Sequence, residues 1–300
     1  MSAAITPAWI AVDWGTSHLR AWAMSANGTV LAQASSDRGM GRLDRAGFEP
    51  ALLALVGPWL QGSTPVIACG MVGSRQGWVE APYAATPCPP QGSSFARAQS
   101  DDPRLAVHVI PGIKQLHPAD VMRGEETQIA GYLAQNKGWD GVICLPGTHT
   151  KWAHISAGEI VSFQTFMTGE LFATLATQTV LRHSIAADGW DDAAFDTGLA
   201  DAYGRPEKLA GRLFSLRAEG LLHDLPGAAA RARLSGLLIG AELAAAKPYW
   251  LGQQIAVIGA GALARLYVTA LAQHGAPATQ VNAEAATLAG LTAAYRQLKG

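Results

Sequence analysis

The sequence predicts an α/β protein built from two similar halves. A unit of strand, hairpin and strand in residues 9–34 recurs in residues 140–164, and in each copy a Gly-Thr pair precedes the hairpin, at Gly15 and again at Gly147. After residue 168 the pattern is mainly helical, and only two short apolar strands remain. Internal similarity of this kind indicates a duplicated architecture.

The first half alternates strands with turns and contains one early helix. Asn27-Gly28 is a strong hairpin signal, and apolar spacing favours a helix over residues 48–60. Residues 82–103 are rich in Pro, Gly and Ser without periodicity, which predicts a long surface loop. Strands are predicted at residues 9–12, 19–25, 29–34, 65–69 and 106–110.

The second half begins with a helical pattern over residues 120–133 and a buried strand over residues 140–145. A hairpin follows, with its turn at Ala157-Gly158. Further strands are predicted at residues 151–156, 159–164, 254–258 and 279–282. Further helices are predicted at residues 169–183, 207–219, 228–246, 263–273 and 284–298.

The composition indicates a globular chain with its own core. The 300 residues are 49% hydrophobic, and 22 Lys plus Arg nearly balance 23 Asp plus Glu. Without an excess of basic charge, a nucleic-acid partner is not expected. The three cysteines, Cys69, Cys88 and Cys144, show no metal-ligand spacing, which favours free thiols in a reducing compartment over disulfides or a zinc site.

No targeting or membrane segment is expected. The first ten residues have no basic start, and Asp13 interrupts the apolar run behind them. The most apolar later stretch, residues 234–246, is too short to span a bilayer and contains Glu242, which indicates a buried helix. These observations predict a cytoplasmic protein without a membrane partner.

The strongest local motif joins the first two strands. Asp13 closes a strand and is followed by a turn of glycine and hydroxyl residues, Gly15, Thr16 and Ser17. A carboxylate beside turn amides suits Mg²⁺ and phosphate oxygens, because Mg²⁺ prefers one or two carboxylates together with phosphates. An ordinary polar turn is the alternative for this motif alone. The Gly-Thr turn recurs at residues 147–150. This recurrence favours a phosphate site in which the two turns hold a polyphosphate from opposite sides.

A glycine turn follows the predicted strand at residues 254–258. Gly259 and Gly261 would let a flat or anionic ligand approach the backbone before the next helix begins. The same residues fit a dinucleotide-binding fingerprint, but only about 40 residues follow Gly259, too few for the remaining strands of that fold. A nucleotide contact within a larger cleft therefore fits better.

Adjacent acids lie within residues 120–127. A solvated helix start explains such a pair equally well. A base that accepts a hydroxyl proton must nevertheless be a positioned carboxylate or imidazole, and this segment lies between the two halves. We expect Glu125 to be the base, and Asp120 and Glu126 stay open as rivals.

Substrate contacts are expected from a glycine-rich loop that follows a buried strand. Its Arg75 could form a two-pronged pair with a substrate carboxylate, with Gly73 and Ser74 beside it. Arg20 and Glu170 are further candidates, the latter because it opens a predicted helix. A solvated arginine and simple helix capping are the alternatives for these segments.

Together these motifs resemble a known superfamily. The runs at residues 13–17, 147–149 and 259–261 resemble the two phosphate motifs and the adenosine motif of the sugar kinase, actin and heat-shock-chaperone ATPases. Four runs, in matching order over nearly the whole chain, resemble the 2-dehydro-3-deoxygalactonokinase family. These runs are residues 11–17, 70–74, 122–127 and 145–152.

The resemblance implies two ribonuclease-H-like domains with mixed sheets flanked by helices and an active-site cleft between them. It also implies transfer of the γ-phosphoryl group of ATP, with Mg²⁺, to the C6 hydroxyl of 2-dehydro-3-deoxy-D-galactonate. We expect an N-terminal domain over residues 1–118, completed by residues 284–300, and a nucleotide-binding domain over residues 119–283. Pro146 stands where many superfamily members carry an acid, so Asp13 would be the main protein ligand of Mg²⁺.

The expected mechanism holds ATP between the two turns while Glu125 accepts the hydroxyl proton. The expected partners are ATP and a small sugar acid, and a homodimer would be unsurprising. A phosphohydrolase acting on polyphosphate or nucleotides is one alternative, and a non-catalytic actin-like or sugar-sensing protein is another. The residues expected to bind the nucleotide are Gly15, Thr16, Ser17, Gly147, Thr148, His149, Thr150, Gly259 and Gly261.

Overall fold

The computed structural model describes residues 5–92 and 94–300. Residues 1–4, the start of the segment predicted to carry no targeting signal, lie outside the described residues, as does Ser93 in the predicted loop at residues 82–103. The strands are β1 (Trp9–Trp14), β2 (Leu19–Met24), β3 (Val30–Ser36), β4 (Thr64–Gly70), β5 (Tyr83–Ala85), β6 (Ala96–Ala98), β7 (Leu105–Val109), β8 (Gly112–Gln115), β9 (Asp120–Met122), β10 (Gly141–Leu145), β11 (Thr150–Ser156), β12 (Glu159–Phe166), β13 (Ile255–Gly259) and β14 (Ala278–Asn282). The helices are α1 (Phe48–Val56), α2 (Glu125–Gln135), α3 (Thr168–Gln178), α4 (Asp192–Gly204), α5 (Leu209–Leu222), α6 (Gly227–Ala245), α7 (Lys247–Trp250), α8 (Gly261–Gln273) and α9 (Ala283–Lys299).

The chain divides into two compact units. Unit 1 comprises the described residues up to Asp140 together with Ile155–Ser162 and Asn282–Gly300. Unit 2 comprises Gly141–His154 and Phe163–Val281. Residues 119–140 thus belong to unit 1 in this division. The domain limits expected from the sequence, at residues 118 and 283, remain a prediction.

The large sheet of unit 1 has the order β3-β2-β1-β4-β7-β6. Strands β1, β2 and β3 pair antiparallel, whereas β4 runs parallel to β1 and β7 runs parallel to β4. Strand β1 is buried along nearly its whole length, because it lies in the middle of the sheet and both faces are covered. A separate small sheet has the order β5-β8-β9.

The second large sheet repeats this strand order. Its order, β12-β11-β10-β13-β14, corresponds to β3-β2-β1-β4-β7 in the first sheet. Strand β13 runs parallel to β10, as β4 does to β1. The duplication predicted from the two Gly-Thr hairpins is therefore confirmed, and so is the α/β class with helices flanking mixed sheets.

Apolar side chains from helices cover the sheets. In unit 1, α1 places Phe48 against Trp14, and α9 places Tyr295 on Trp9 with the ring centroids 4.6 Å apart. In unit 2, helices α4, α6 and α8 share a core with β10, β11 and β13. Within the described residues, no helix combines the length and apolar character needed to cross a bilayer.

Helices α2 and α9 of unit 1 meet through glycines. A Cβ at Gly131 would lie 1.9 Å from the carbonyl oxygen of Ala286, and a Cβ at Gly290 would lie 1.9 Å from that of Thr127. No side chain fits at either position, so the two helices contact each other backbone to backbone. This contact attaches residues 282–300 to unit 1.

Two predictions of secondary structure were wrong, and some elements were not predicted. The helix predicted from residue 120 begins at Glu125, because Gly124 immediately before it adopts φ 109° and residues 120–122 form the separate strand β9. The predicted loop at residues 82–103 contains β5 and β6. Helix α4 was not predicted, although Asp191 caps it by accepting a hydrogen bond from the N–H of Ala194.

Candidate active site

Asp13 lies near the carboxyl end of β1, opposite Arg20 of β2 and Cys69 of β4. The Arg20 guanidinium donates a hydrogen bond to Oδ2 of Asp13, and its Nη1 lies 3.5 Å from Oε2 of Glu284. The Asp13 side chain is 18% exposed. The carboxylate is thus oriented by a cation and is still accessible to a ligand.

Backbone hydrogen bonds fix the turn between β1 and β2. The N–H of Gly15 donates to the carbonyl oxygen of His18 at 2.9 Å, and the N–H of Gly41 donates to that of Thr16 at 2.9 Å. The side chains of Thr16 and Ser17 are exposed. The turn therefore presents two hydroxyl groups on a fixed backbone close to Asp13.

Two glycines bring the start of α2 close to Asp13. Gly70 ends β4 with φ 89°, and a Cβ there would lie 2.7 Å from the carbonyl oxygen of Trp14 and 3.6 Å from Oδ1 of Asp13. A Cβ at Gly124 would lie 3.4 Å from the Cα of Gly70. Both glycines have positive φ, where other residues are strained.

The first two residues of α2 are acids in different environments. Glu125 is partly exposed, and its Oε2 accepts a hydrogen bond from the N–H of Arg123 at 3.1 Å. Glu126 is fully buried and accepts from the N–H of Gly124 at 2.6 Å and from the hydroxyl of Thr127 at 3.0 Å. Burial, and then the neighbouring Glu125 carboxylate, raise the pKa of Glu126 to about 7. Of these two acids, Glu125 is the one with a partly exposed side chain.

The third candidate acid, Asp120, lies outside α2. It begins β9, the edge strand of the small sheet, and its Oδ1 accepts a hydrogen bond from the N–H of Val121 at 2.7 Å. A strand rather than a helix carries it, so the spacing that would place it on the same helical turn as Glu125 does not apply.

The residues predicted to bind the substrate in unit 1 differ in exposure. Arg75 is exposed, whereas Gly73 and Ser74 are buried. Arg123 was not predicted as a site residue, yet its guanidinium lies beside this loop and donates from Nη2 to the carbonyl oxygen of Ala81 at 2.9 Å. Its position depends on Gly73, where a Cβ would lie 2.8 Å from Nη1 of Arg123.

The second Gly-Thr turn, between β10 and β11, is supported by the start of α3. The N–H of Glu170 donates to the carbonyl oxygen of Thr148 at 2.9 Å, and Nε2 of His149 lies 2.5 Å from Oε2 of Glu170. A Cβ at Gly169 would lie 2.3 Å from the carbonyl oxygen of Gly147. Glu170 thus contacts this turn through both its backbone N–H and its side chain.

A cavity of about 370 Å³ opens beside this turn in unit 2. Helices α3, α6 and α8 supply apolar and aromatic side chains to its wall. The Cζ atom of Arg231 lies 5.1 Å from the centroid of the Phe172 ring. The lining includes Thr148, Phe172, Trp190, Arg231, Leu263 and Tyr267. Such a cavity suits a flat ligand with an anionic end at the turn.

A buried carboxylate, Glu242 of α6, connects the elements around the cavity. Its Oε1 accepts from Nε1 of Trp152 at 2.8 Å, and its Oε2 accepts from the hydroxyls of Tyr267, at 2.8 Å, and Thr168. The hydroxyl of Thr150 lies 3.0 Å from that of Tyr267. Burial raises the pKa of Glu242 to about 7, against the opposing effect of its donors. Sequence reasoning missed this role.

The late glycine turn leads directly into the cavity wall. Strand β13 ends at Gly259, and α8 begins at Gly261, which has φ 54°. Helix α8 then supplies Leu263, Leu266 and Tyr267 to the lining. The turn predicted to contact a nucleotide therefore adjoins a cavity of suitable shape.

The donor set for a metal ion is sparse. Among the residues that the structure describes, no three His, Cys, Asp or Glu side chains are grouped to hold a metal. The cysteines are buried free thiols, and burial raises the pKa of Cys69 and Cys144. A single carboxylate, Asp13, nevertheless fits Mg²⁺, because this ion takes most of its ligands from phosphates and water.

Residues 13–294 match the model of the 2-keto-3-deoxy-galactonokinase family. The chain belongs to this family. It is 41% identical over 298 residues to the probable 2-dehydro-3-deoxygalactonokinase DgoK1 of Rhizobium meliloti (strain 1021), covering 96% of each chain. It is 34% identical over 291 residues to the 2-dehydro-3-deoxygalactonokinase of Escherichia coli (strain K12), covering 96% of this chain and 97% of that protein.

The fold of this chain is also similar to that of a solved structure. A crystal structure from Sinorhizobium meliloti, described as that of a putative 2-dehydro-3-deoxygalactonokinase protein, superposes with a TM-score of 0.88 at 39% identity and covers 96% of each chain. The family resemblance predicted from the sequence is confirmed. The predicted enzyme class, a kinase and hence a phosphotransferase, is confirmed as well.

Proposed function

We propose that this enzyme transfers the γ-phosphoryl group of ATP to the C6 hydroxyl of 2-dehydro-3-deoxy-D-galactonate and so forms the 6-phosphate. The observation that carries the proposal is the Gly-Thr turn of unit 2, which adjoins a cavity of about 370 Å³ suited to a nucleoside. Family membership supplies the reaction type and the class of acceptor.

The cavity in unit 2 is the proposed nucleoside site. A purine has apolar faces that match the Phe172, Trp190 and Leu263 side chains in the lining. Its phosphates would extend along the turn at Gly147 and Thr148, whose backbone is buttressed by α3. The buried hydroxyls of Thr150 and Tyr267 would support this turn from the protein interior.

The site around Asp13 is the proposed position of Mg²⁺. Asp13 would hold the ion together with phosphate oxygens and water, and the hydroxyls of Thr16 and Ser17 lie on the adjoining turn. When bound, Mg²⁺ neutralises phosphate charge, which is its usual contribution to phosphoryl transfer. Arg20 orients the Asp13 carboxylate in the proposed arrangement.

Glu125 is the proposed base for the acceptor hydroxyl. It is partly exposed at the first turn of α2, and the N–H of Arg123 orients its carboxylate. Glu126 is fully buried, and burial raises its pKa to about 7, so a large share of this carboxyl is protonated at neutral pH. We assign Glu126 to holding the start of α2, where it accepts from the N–H of Gly124.

Phosphoryl transfer depends mainly on alignment and on neutralising charge, so fixed donors matter more than the strength of the base. The fixed turns at Gly15 and Gly147 are the groups that would provide this alignment. Because the reaction consumes ATP, we place the enzyme in the cytoplasm, with ATP and the sugar acid as its partners.

An ADP-release assay against a panel of acceptors tests this function. The panel should contain 2-dehydro-3-deoxy sugar acids, plain aldonates and neutral hexoses, each with ATP and Mg²⁺. We expect ADP release that depends on the acceptor and is fastest with 2-dehydro-3-deoxy-D-galactonate. Equal release without any acceptor would indicate a phosphohydrolase, and fastest release with a neutral hexose would exclude a sugar-acid kinase.

A further inference from the structure

Arg20, Arg75 and Arg123 are the arginines of unit 1 that lie within the motif segments proposed for the site, and each is a candidate for binding the carboxylate of a sugar acid. Arg20 is already paired with Asp13 and lies 3.5 Å from Glu284, so its charge is compensated within the protein. Arg75 is exposed, where a single ion pair contributes little because water and salt screen it. The third arginine, Arg123, has surroundings that differ from those of Arg20 and of Arg75.

The guanidinium of Arg123 is held in one orientation by two contacts. Its Nη2 donates to the carbonyl oxygen of Ala81 at 2.9 Å, and its Cζ lies 4.3 Å from the centroid of the Tyr83 ring. A cation stacked on an aromatic face and anchored at one nitrogen is preorganised for a planar ligand. These contacts do not involve the N–H donors on Nε and Nη1 of the same guanidinium.

Those donors are buried and lack hydrogen-bond partners within the described part of the chain. Nε and Nη1 of Arg123 are both in this state, and so is the hydroxyl oxygen of Ser74. Ser74 adjoins Gly73, where even a Cβ would come within 2.8 Å of Nη1 of Arg123. The unpartnered cationic donors and the unpartnered hydroxyl therefore belong to one small region of unit 1.

Leaving charged donors buried and unpaired is costly, and native proteins seldom do so without a functional reason. An anion offers the matching acceptors, and a carboxylate matches a planar guanidinium in shape as well as charge. A hydroxyl such as that of Ser74 can donate one further bond to the same anion. The chemistry of the cluster thus suits a small anion, and the carboxylate of the proposed sugar-acid acceptor is such an anion.

The cluster also adjoins the residues proposed for phosphoryl transfer. The backbone N–H of Arg123 orients the Glu125 carboxylate at 3.1 Å. The next residue, Gly124, approaches Gly70, which in turn lies beside Asp13. A substrate carboxylate bound by Arg123 would therefore be held by the same short segment of the chain that carries the proposed base, Glu125.

We propose that Arg123 and Ser74 form the subsite that binds the carboxylate of the sugar-acid substrate, in place of Arg75 and Arg20. This inference rests on the proposed function, because it presupposes an acidic acceptor. It names the residues by which the enzyme distinguishes a sugar acid from a neutral sugar.

Steady-state kinetics of Arg123→Met test the proposal. Loss of a charge-assisted hydrogen bond should raise KM for the sugar acid on the order of 100-fold and leave KM for ATP within about twofold. Arg296→Met, at an exposed arginine of α9 in the same unit, is the matched control and should behave as wild type. Arg75→Met provides the direct comparison with the arginine that the sequence favoured.

A substrate analogue isolates the role of the carboxylate. When a primary amide replaces the carboxylate of the sugar acid, wild type and Arg123→Met should use the analogue with similar kcat/KM, because the interaction is already lost. If Arg123→Met is too unstable to assay, Ser74→Ala removes only the hydroxyl and should raise KM for the acid about tenfold. Thermal unfolding of every variant separates loss of binding from loss of fold.

Clear outcomes would overturn the proposal. An unchanged KM for the acid in Arg123→Met would mean that water alone satisfies these donors, and a rise confined to Arg75→Met would restore the exposed arginine. Equal losses on the acid and on the amide would indicate a structural role only. Wild-type enzyme that releases no ADP in the presence of the acid would instead refute the proposed function, so the two failures are distinguishable.

Discussion

The hydroxyl of Tyr267 donates to the buried carboxylate of Glu242 at 2.8 Å, and Tyr267 also lines the cavity of unit 2. Thr168 has the same two relationships, to the carboxylate and to the cavity. One interior acid thus determines where two wall residues of the proposed nucleoside site are held. Any change in its acceptor capacity should be detected as a change in nucleotide binding.

Glu242→Gln should weaken ATP binding and lower stability together. The amide has one acceptor oxygen where the carboxylate has two, so a buried donor loses its partner at a cost of roughly 1–3 kcal/mol. We expect a lower free energy of unfolding in urea and a raised KM for ATP. Glu207→Gln, at an exposed position of unit 2, should change neither. A Glu242→Gln enzyme with normal KM for ATP would refute the link between this acid and the cavity.

Gly169→Ala should displace the phosphate turn of unit 2. The new Cβ would lie 2.3 Å from the carbonyl oxygen of Gly147, so the backbone must shift. A displacement of about 1 Å at a site that positions phosphates should lower kcat/KM for ATP on the order of 10- to 100-fold. Gly211→Ala is the control, because no atom lies within 4 Å of its Cβ and alanine favours the helix there. Normal kinetics in Gly169→Ala would contradict a phosphate role for the turn.

Asp13→Asn should abolish turnover without unfolding the protein. If Asp13 holds Mg²⁺, its loss removes several kcal/mol of charge stabilisation, and kcat should fall on the order of 1,000-fold. Asp37→Asn removes a carboxylate that also pairs with an arginine, Arg42, but at an exposed site, and should leave kcat unchanged. Circular dichroism and titration of activity with Mg²⁺ provide the readouts. Near-normal kcat in Asp13→Asn would contradict the assignment of Asp13 as the ligand of Mg²⁺.

Glu125→Gln should reduce kcat about 100- to 10,000-fold with little change in KM for ATP, as expected for loss of a general base. Asp120→Asn tests the rival acid in β9 and should retain most of the activity. Steady-state kcat of both variants, with thermal unfolding to confirm that each is folded, measures this difference. The reverse pattern between the two variants would assign the base to Asp120.

Glu126 should make stability depend on pH. Burial raises its pKa in the folded protein to about 7 from the ordinary value of 4.5, so the folded state holds a proton that the unfolded state releases between these values. The wild-type free energy of unfolding should therefore fall relative to that of Glu126→Gln as pH rises from 4.5 to 7, by about 1 kcal/mol per pH unit, and then level off. Urea unfolding of both proteins at several pH values measures this difference. A constant difference across the range would show that Glu126 is not protonated in the folded state.

The sequence predicted the architecture well because local signals determine it. The two hairpins, with turns at Asn27-Gly28 and Ala157-Gly158, set strand neighbours directly, and the second Gly-Thr pair identified the repeat. The start of α2 was placed too early because residues 120–124 carry a helix-like pattern that the positive φ of Gly124 interrupts. Backbone conformation at one glycine is not encoded in periodicity.

The two residues that sequence reasoning missed depend on distant partners. Glu242 stands in an apolar helix, and its donors Trp152, Thr168 and Tyr267 are 90, 74 and 25 residues away. Arg123 acquires its orientation from Ala81, 42 residues earlier. Buried networks of this kind leave no local pattern, whereas exposed turns such as Gly15 to Ser17 carry their chemistry within a few letters.

The backbone contact between Gly131 of α2 and Ala286 of α9 can form only after residue 286 has been synthesised. A nascent chain that has left the ribosome only as far as residue 281 contains all of unit 2 but still lacks the helix that covers one face of the first sheet. The amino-terminal strands are made early, yet their tertiary packing is completed only after α9 emerges. Unit 2 can mature before α9 has been made, whereas Asp13 and its neighbours acquire their final environment only once α9 has emerged.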